Sequence, residues 1–421
     1  MKRIIDSEIA EQLDVAGVIS IRGPKWCGKT TTSEQFSKST FKVQGDEEHP
    51  NNTELAIEQP YIVLKGENPR LIDEWQLAPE LWNAARNNVD NIPKHGLYIF
   101  TGSATPNESN TSKLHSGAGR FAFIDMKPMS LYESGDSNGK ISLKDLFNHK
   151  FDIDGISCDM TYEKMAFLIC RGGWPDSIGM NEKSALKVSS NYVEAVVSSD
   201  ISRIDGVSRN KELAKNILKS YARMTSTIDS NDSLYKDVQA NQGNVSKSTI
   251  IDYLNQFKKL YLIDEIEAWS PNIRSKTAIR TSPKKSFVDP SIATAALNVM
   301  PGDLILDRNT YGLLFENIVD RDLSIYMRSL GGRLSHYRDR YGLEVDQILH
   351  LGNDKYALVE TKTSIKAVPE AEEHLLKLKE TIIENQPKLG EPEFMMVVVN
   401  DQMAYTTKNG ILVVPIGCLK N

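Results

Sequence analysis

The chain has 421 residues, a formal net charge of -6 at pH 7 and a pI of about 5.8. That length suggests two to four domains, and 40% hydrophobic with 25% charged residues is ordinary for a globular protein. The acidic balance excludes nucleic-acid binding through bulk charge, so any such contact needs a local basic patch. Cys27, Cys158, Cys170 and Cys418 include no CxxC pair, which removes zinc spacing and a disulfide framework. Charges recur through Met1–Gly17, and no window nears the ~18 apolar residues of a membrane span. A cytoplasmic protein with no membrane contact is expected.

In chain order, "GVISIRG" (Gly17 to Gly23) reads as a short buried strand. "GPKWCGKT" follows and fits G-x-x-x-x-G-K-[ST] through Gly23, Gly28, Lys29 and Thr30. "KTTTSEQFSKS" then opens a helix. Strand, glycine loop and helix are the context this motif requires. Its backbone N–H groups and the helix N-terminus cradle an anion, and glycine lets the backbone approach phosphate. Gly23, Pro24, Lys25, Trp26, Cys27, Gly28, Lys29, Thr30 and Thr31 are therefore the expected ATP loop. Lys29 would meet the β- and γ-phosphates and Thr30 would ligate Mg²⁺. The bland alternative is a strand-turn-helix corner that binds nothing.

Such a loop calls for an acidic strand end. "RLIDEWQ" supplies Asp73, a second Mg²⁺ contact, and Glu74, a general base for the attacking water. A third strand, "GLYIFTGSATP", turns polar at Thr101 and Ser103. Ser103 is placed to touch the γ-phosphate or the water.

These segments, with "LIDEWQLAPELWNAAR", "GAGRFAFIDMKPMSLYE" and "RGGWP", resemble a large prokaryotic family of AAA-type ATPases with a C-terminal domain of unknown function. The resemblance covers nearly the whole chain. It implies a doubly wound ATPase domain, a linking helical region and a C-terminal domain similar to restriction-type nucleases. It also favours a role for Arg120, after a glycine-rich loop, as a finger reaching a neighbouring subunit, and leaves Arg171 open as a nucleotide sensor on the helical lid. For each the alternative is a surface or capping arginine.

From Lys164 to Met224 the pattern is helical, with Leu186, Tyr192, Val193, Val196 and Val197 near a 3.6-residue period. "SLYKDVQANQG" gives a short helix. "SKSTIIDYLNQFKKLYLI" gives another, capped by Ser246 or Ser248, with Ile250, Ile251, Leu254, Phe257 and Leu260 inward. A strand ("LYLIDEIEAW"), a basic loop and a returning strand ("SFVDPSI") complete a winged-helix pattern. Read as a DNA binder, its contacts would be Lys247, Lys258 and Lys259 on the second helix and Arg274, Lys276, Arg280, Lys284 and Lys285 on the wing. The alternative is a protein-docking module with a solvated charged loop.

"GLLFENIVDRDLSIYM" is a helix carrying Glu316, "RLSHYRDRYGLEVDQILHL" a hairpin with Asp346, and "DKYALVETKTSI" a strand with Glu360 and Lys362. This resembles the restriction-nuclease core signature. Glu360 and Lys362, two apart, share a strand face. Asp346, Glu360 and Glu316 are the candidate metal ligands, with Lys362 the catalytic lysine. The alternative is a relic in which Lys362 neutralises Glu360.

The expected fold is α/β: a P-loop AAA-type ATPase core at 1–155, a helical lid at 156–208, a winged-helix segment at 209–295 and a restriction-nuclease-like α/β domain at 296–421. The expected function is an ATP-binding, ATP-hydrolysing AAA-type protein using Mg²⁺, whose nucleotide state is coupled to a C-terminal module that faces nucleic acid or docks a partner. Two rivals are a nucleotide-dependent, metal-dependent DNA nuclease and an ATP-binding scaffold that docks a protein through the winged helix. Homo-oligomerisation fits the finger reading of Arg120.

Overall fold

A computed structural model describes residues 2–104, 117–203, 206–243, 245–270 and 282–421. The chain divides into two compact units. The first comprises Met1–Pro128, Ala195–Arg209 and Asn255–Leu262; the second comprises Met129–Glu194, Asn210–Leu254 and Ile263–Asn421.

The first unit is built on strands β1 (Val18–Arg22), β2 (Ser39–Lys42), β3 (Arg70–Asp73), β4 (Tyr98–Gly102) and β5 (Phe121–Asp125). They form one sheet in the order β2-β3-β4-β1-β5, with every pairing parallel. A parallel sheet is covered on both faces, and two apolar clusters do so here. Ile19, Ile21, Leu71, Ile99 and Ile124 pack with Ile9 of the helix Asp6–Val15. On the other side Ile72 and Phe100 pack with Trp75, Leu81 and Trp82. The polar stretch between the glycine-loop helix and Asp73 supplies the edge strand β2 and the short helices Asn52–Glu58 and Pro60–Val63.

The second unit holds β6 (Ile141–Ser142), β7 (Arg333–Arg338), β8 (Glu344–His350), β9 (Tyr356–Lys362), β10 (Met395–Val399), β11 (Tyr405–Thr406), β12 (Leu412–Pro415) and β13 (Leu419–Lys420). Six of them form a mixed sheet in the order β11-β12-β10-β9-β8-β7. Leu358, Val397 and Val413 pack with Ala371, Leu375, Leu378 and Ile382 of the helix Val368–Asn385. β6 pairs in parallel with β13. Residues 129–155, expected in the ATPase core, are grouped with the second unit.

The middle of the chain is helical as expected, over Lys211–Arg223, Asn231–Gln242 and Lys247–Lys259. The cap of the last is Ser246, whose Oγ accepts from the Thr249 N–H at 3.1 Å. Ile250, Leu254, Phe257 and Leu260 are buried but Ile251 is exposed. The buried stripe of this helix runs through Ile250, Tyr253, Leu254 and Phe257, and Ile251 falls at its edge.

The expected ribbon is reduced, among the described residues, to two bridges, Ile263–Phe287 and Ile266–Lys284. The returning strand stops early because Asp289 caps the helix Pro290–Leu297, its carboxylate accepting from the Ser291 N–H at 3.0 Å. Arg274, Lys276 and Arg280 lie outside the described residues. Lys284 and Lys285, expected on an exposed wing, are buried. Lys285 donates to the Asp229 carbonyl at 2.6 Å.

Candidate functional site

β1 ends beside Gly23, whose φ is 153°. A Cβ there would lie 2.1 Å from the Met126 carbonyl oxygen, so only glycine fits. Gly28 (φ 99°) turns the loop into the helix Lys29–Glu34. The buried Cys27 supports the loop: its carbonyl accepts from Arg3 at 2.9 Å and its thiol reaches the Met126 carbonyl at 3.6 Å. Lys29 is buried, and its ammonium donates to the carbonyls of Gly23 and Pro24 at 3.0 and 2.8 Å. Lys25 pairs with Asp200 at 2.9 Å. Asp200 ends a π-helical turn, Val196–Asp200, that continues the helix Glu182–Ala195. Trp26 and Thr31 are exposed.

Asp73 closes β3 in register with Thr101 of β4. Its Oδ1 accepts from the Thr30 hydroxyl at 2.8 Å and from the Thr101 hydroxyl at 2.5 Å. The next residue, Glu74, takes a left-handed conformation with φ 56°. For a residue with a Cβ that conformation costs roughly 1–2 kcal/mol. Trp75, buried against Trp82 and Phe100, anchors the turn that follows. The Glu74 Oε2 accepts from the Ser103 hydroxyl at 2.8 Å and from the Gln76 amide. Gln76 Nε2 also lies 3.4 Å from Ser103 Oγ.

The structure thus brings Thr30, Asp73, Glu74 and Ser103 to one edge of the sheet, beside Lys29. Sequence reasoning assigned no role to Gln76. Its only signal is its place two residues after Glu74, and the left-handed turn that folds it back is not legible in residue types.

The donor set suits ATP with Mg²⁺. A hydroxyl and a carboxylate oxygen 2.8 Å apart are hard oxygen donors, of the kind that hold Mg²⁺ together with substrate phosphates. Among the described residues no group of three or more His, Cys, Asp or Glu could hold a metal. A site completed by phosphate oxygens needs none. The Lys29 ammonium rests on neutral carbonyls, which a phosphate would outbid as a charge-assisted partner.

Comparison with known proteins agrees. Residues 16–135 match an AAA domain, and residues 311–419 match a domain of unknown function, DUF4143. An AAA domain followed by this C-terminal domain is the arrangement that the resemblance implied. Residues 162–303 match a further domain of unknown function, DUF8612. Two relatives, uncharacterized protein Mb2031c of Mycobacterium bovis and uncharacterized protein Rv2008c of Mycobacterium tuberculosis, are each 23% identical over 372 residues, covering 87% of this chain and 75% of the relative. Among solved structures, a Walker-type ATPase of Pyrococcus abyssi, PABY2304, aligns at 13% identity over 69% of this chain and 94% of its own, with a TM-score of 0.42.

The two arginines, Arg120 and Arg171, are engaged with acids. Arg120, half exposed, donates to Asp90 at 2.8 Å in the first unit. Arg171 lies in the second unit, buried, with its guanidinium 2.6 Å from Asp136 and bonded to the Gly172 carbonyl at 3.0 Å. Neither guanidinium is placed on the glycine loop by these bonds.

In the second unit Glu316 (helix Arg308–Ser329), Asp346 (β8), Glu360 and Lys362 (both β9) lie close enough to interact. The cation at their centre was not foreseen. Lys284 Nζ donates to Glu316 at 2.6 Å, to Asp320 at 2.9 Å and to the Asp346 carbonyl at 3.0 Å. Gln347 adds a bond to Asp320 at 2.9 Å. Lys362 pairs directly with Glu360 at 3.0 Å, and the Asp346 carboxylate accepts from the Thr361 N–H at 2.8 Å.

Burial, then the Asp346 charge, pushes Glu360 up to about 9 against the pull of Lys362. Burial also raises Glu316 and Asp320. Burial depresses Lys284, but Asp320, Glu316 and Asp346 outweigh it and hold the lysine charged. Two of the expected metal ligands, Glu316 and Glu360, are therefore matched by ammonium groups of the chain itself, and the third, Asp346, is held by a backbone N–H.

Proposed function

We propose that this protein binds ATP on the Gly23–Thr31 loop and hydrolyses it, with Glu74 as general base. The observation that carries the reading is the convergence, at the carboxyl edge of β1, β3 and β4, of Lys29, the Thr30–Asp73 pair and the Ser103–Glu74 pair. Ligands of open parallel sheets bind outside that edge.

On this reading Lys29 leaves its two carbonyls for the β- and γ-phosphates. Thr30 and Asp73 would hold Mg²⁺, which would supply neutralisation of the phosphate charge. Ser103 keeps the Glu74 carboxylate facing the γ-phosphate, and Glu74 takes a proton from the attacking water. Glu74→Gln should retain ATP binding and lower turnover at least ~10²-fold, the scale of a general base. Equal loss of binding and turnover would make Glu74 structural.

The nucleotide state, we further propose, is passed to a partner-docking second unit. Lys25 of the loop is held by Asp200, in a segment inserted into the first unit from the middle of the chain. Nucleotide on the loop competes with that ion pair and alters the hold on residues 195–209. Protein docking is favoured over DNA contact because two lysines expected to face DNA, Lys284 and Lys285, are internal. The chain's own ammonium groups on Glu316, Asp320 and Glu360 likewise favour an internal ion cluster over a metal-dependent nuclease.

A further inference from the structure

The first unit carries a feature that the assignments of Lys29, Thr30, Asp73, Glu74 and Ser103 leave unused. The Gln76 amide N–H and the Ser103 O–H converge on the same carboxylate oxygen, Oε2 of Glu74. We infer that Gln76 is the positioning residue of the hydrolytic glutamate: with Ser103 it fixes one oxygen of Glu74 so that the other meets the attacking water. The inference rests on the reading of Glu74 as general base.

Three observations support it. The first is backbone geometry. Glu74 adopts φ 56°, and the single 3-10 turn Trp75–Leu77 returns the Gln76 side chain over the residue two places before it. Such a conformation persists only where its surroundings enforce it. Trp75, wedged between Trp82 and Phe100, does so here.

The second is fit. A Cβ at residue 102 would lie 3.0 Å from Gln76 Oε1 and 3.2 Å from Trp75 Nε1. Glycine at the end of β4 is what leaves the slot for the amide. The third is chemistry. Gln76 Oε1 is buried with no hydrogen-bond partner, and an orphaned buried acceptor is costly. Turning the amide over would not remove the cost, because its oxygen would then oppose the Glu74 carboxylate. The retained arrangement is the one that aims N–H at Glu74.

A structural amide and a positioning amide differ in what they move. Gln76→Met keeps the length of the side chain and removes the donor. Its kcat should fall about tenfold to a hundredfold, the scale of a small misplacement of a catalytic group. KM for ATP, affinity for a fluorescent ADP analogue and the melting temperature should stay at wild-type values. Gln76→Glu keeps the shape and sets an acceptor against Glu74, and should lower kcat at least as far with the same affinity.

Unchanged or increased kcat in both variants overturns the inference, an increase meaning that Gln76 restrains Glu74 instead of aiming it. Parallel losses of kcat, affinity and melting temperature in both also overturn it, leaving a packing role. If wild-type protein binds the ADP analogue but shows no ATP turnover, the hydrolysis reading itself fails and the inference falls with it. Turnover in the wild type together with wild-type kcat in both variants removes the inference alone.

Discussion

The two polar clusters of this chain are made of similar parts and do opposite things with charge. In the first unit Asp73 is met by two hydroxyls and Glu74 by a hydroxyl and an amide, while the nearby Lys29 leans on carbonyl oxygens. No carboxylate in these bonds is paired with an ammonium, so the charges remain for a ligand. In the second unit Glu316, Asp320 and Glu360 are each paired with a lysine of the same chain. Acid and lysine at strand ends do not make a site; acid and lysine left uncommitted to each other do.

The sharpest way to break this contrast is to remove one lysine from each cluster. Lys284→Met strands buried carboxylates, which costs about 3–5 kcal/mol. The second unit should melt about 10 °C lower, with nucleotide affinity retained. Lys29→Met loses only bonds to neutral carbonyls, each worth about 1 kcal/mol. It should abolish ATP binding and lower the melting temperature by only a few degrees. Calorimetry and nucleotide titration of both variants decide the matter, and similar melting losses would erase the distinction.

A smaller effect should follow from Glu360. Burial lifts it to about 9, above its value near 4.3 in an unfolded chain. The native state therefore holds the proton more tightly. The stabilisation is complete at acid pH, below the unfolded value, and declines as pH rises through about 9. Unfolding free energies from urea titrations at pH 6 and pH 9 should fall more with rising pH for wild type than for Glu360→Gln. Equal falls would mean that Lys362 keeps Glu360 ionised.

The smallest effect concerns the Lys25–Asp200 pair, whose lysine is 38% exposed and so well screened. Asp200→Asn should change ATP affinity no more than about fivefold, since exposed pairs contribute at most about 1 kcal/mol. A larger change, read by titration, would make the link a principal control of the loop.

How much of this was legible depended on whether neighbours in space were neighbours in sequence. The glycine loop is a local motif, and its strand, turn and helix fold as its residues dictate. Asp73 and Glu74 were readable because a strand end and an acidic pair coincide. Gln76 was missed because its role depends on a left-handed backbone at Glu74, a conformation that glutamate does not announce. Lys284 was misplaced for a different reason. A lysine after a basic stretch reads as solvated, and only the fold shows that its partners stand on the Arg308–Ser329 helix, 32 and 36 residues later. "SFVD" is apolar enough to read as strand through Asp289, whereas the Pro290 that follows makes Asp289 a helix cap.

The interleaving of the two units bears on how the protein is made. The first unit has its sheet complete by Asp125, yet it also includes residues 195–209 and 255–262. Asp200 leaves the ribosome 175 residues after the loop lysine it will hold. At roughly 5–20 residues per second, that is on the order of ten to thirty seconds of synthesis. From the completion of the sheet at Asp125 until Asp200 is made, the nascent sheet exists without the segment that clasps its glycine loop. A translation intermediate stalled before Ala195 should therefore take up nucleotide with Lys25 free of Asp200, a state the finished chain reaches only by breaking that ion pair.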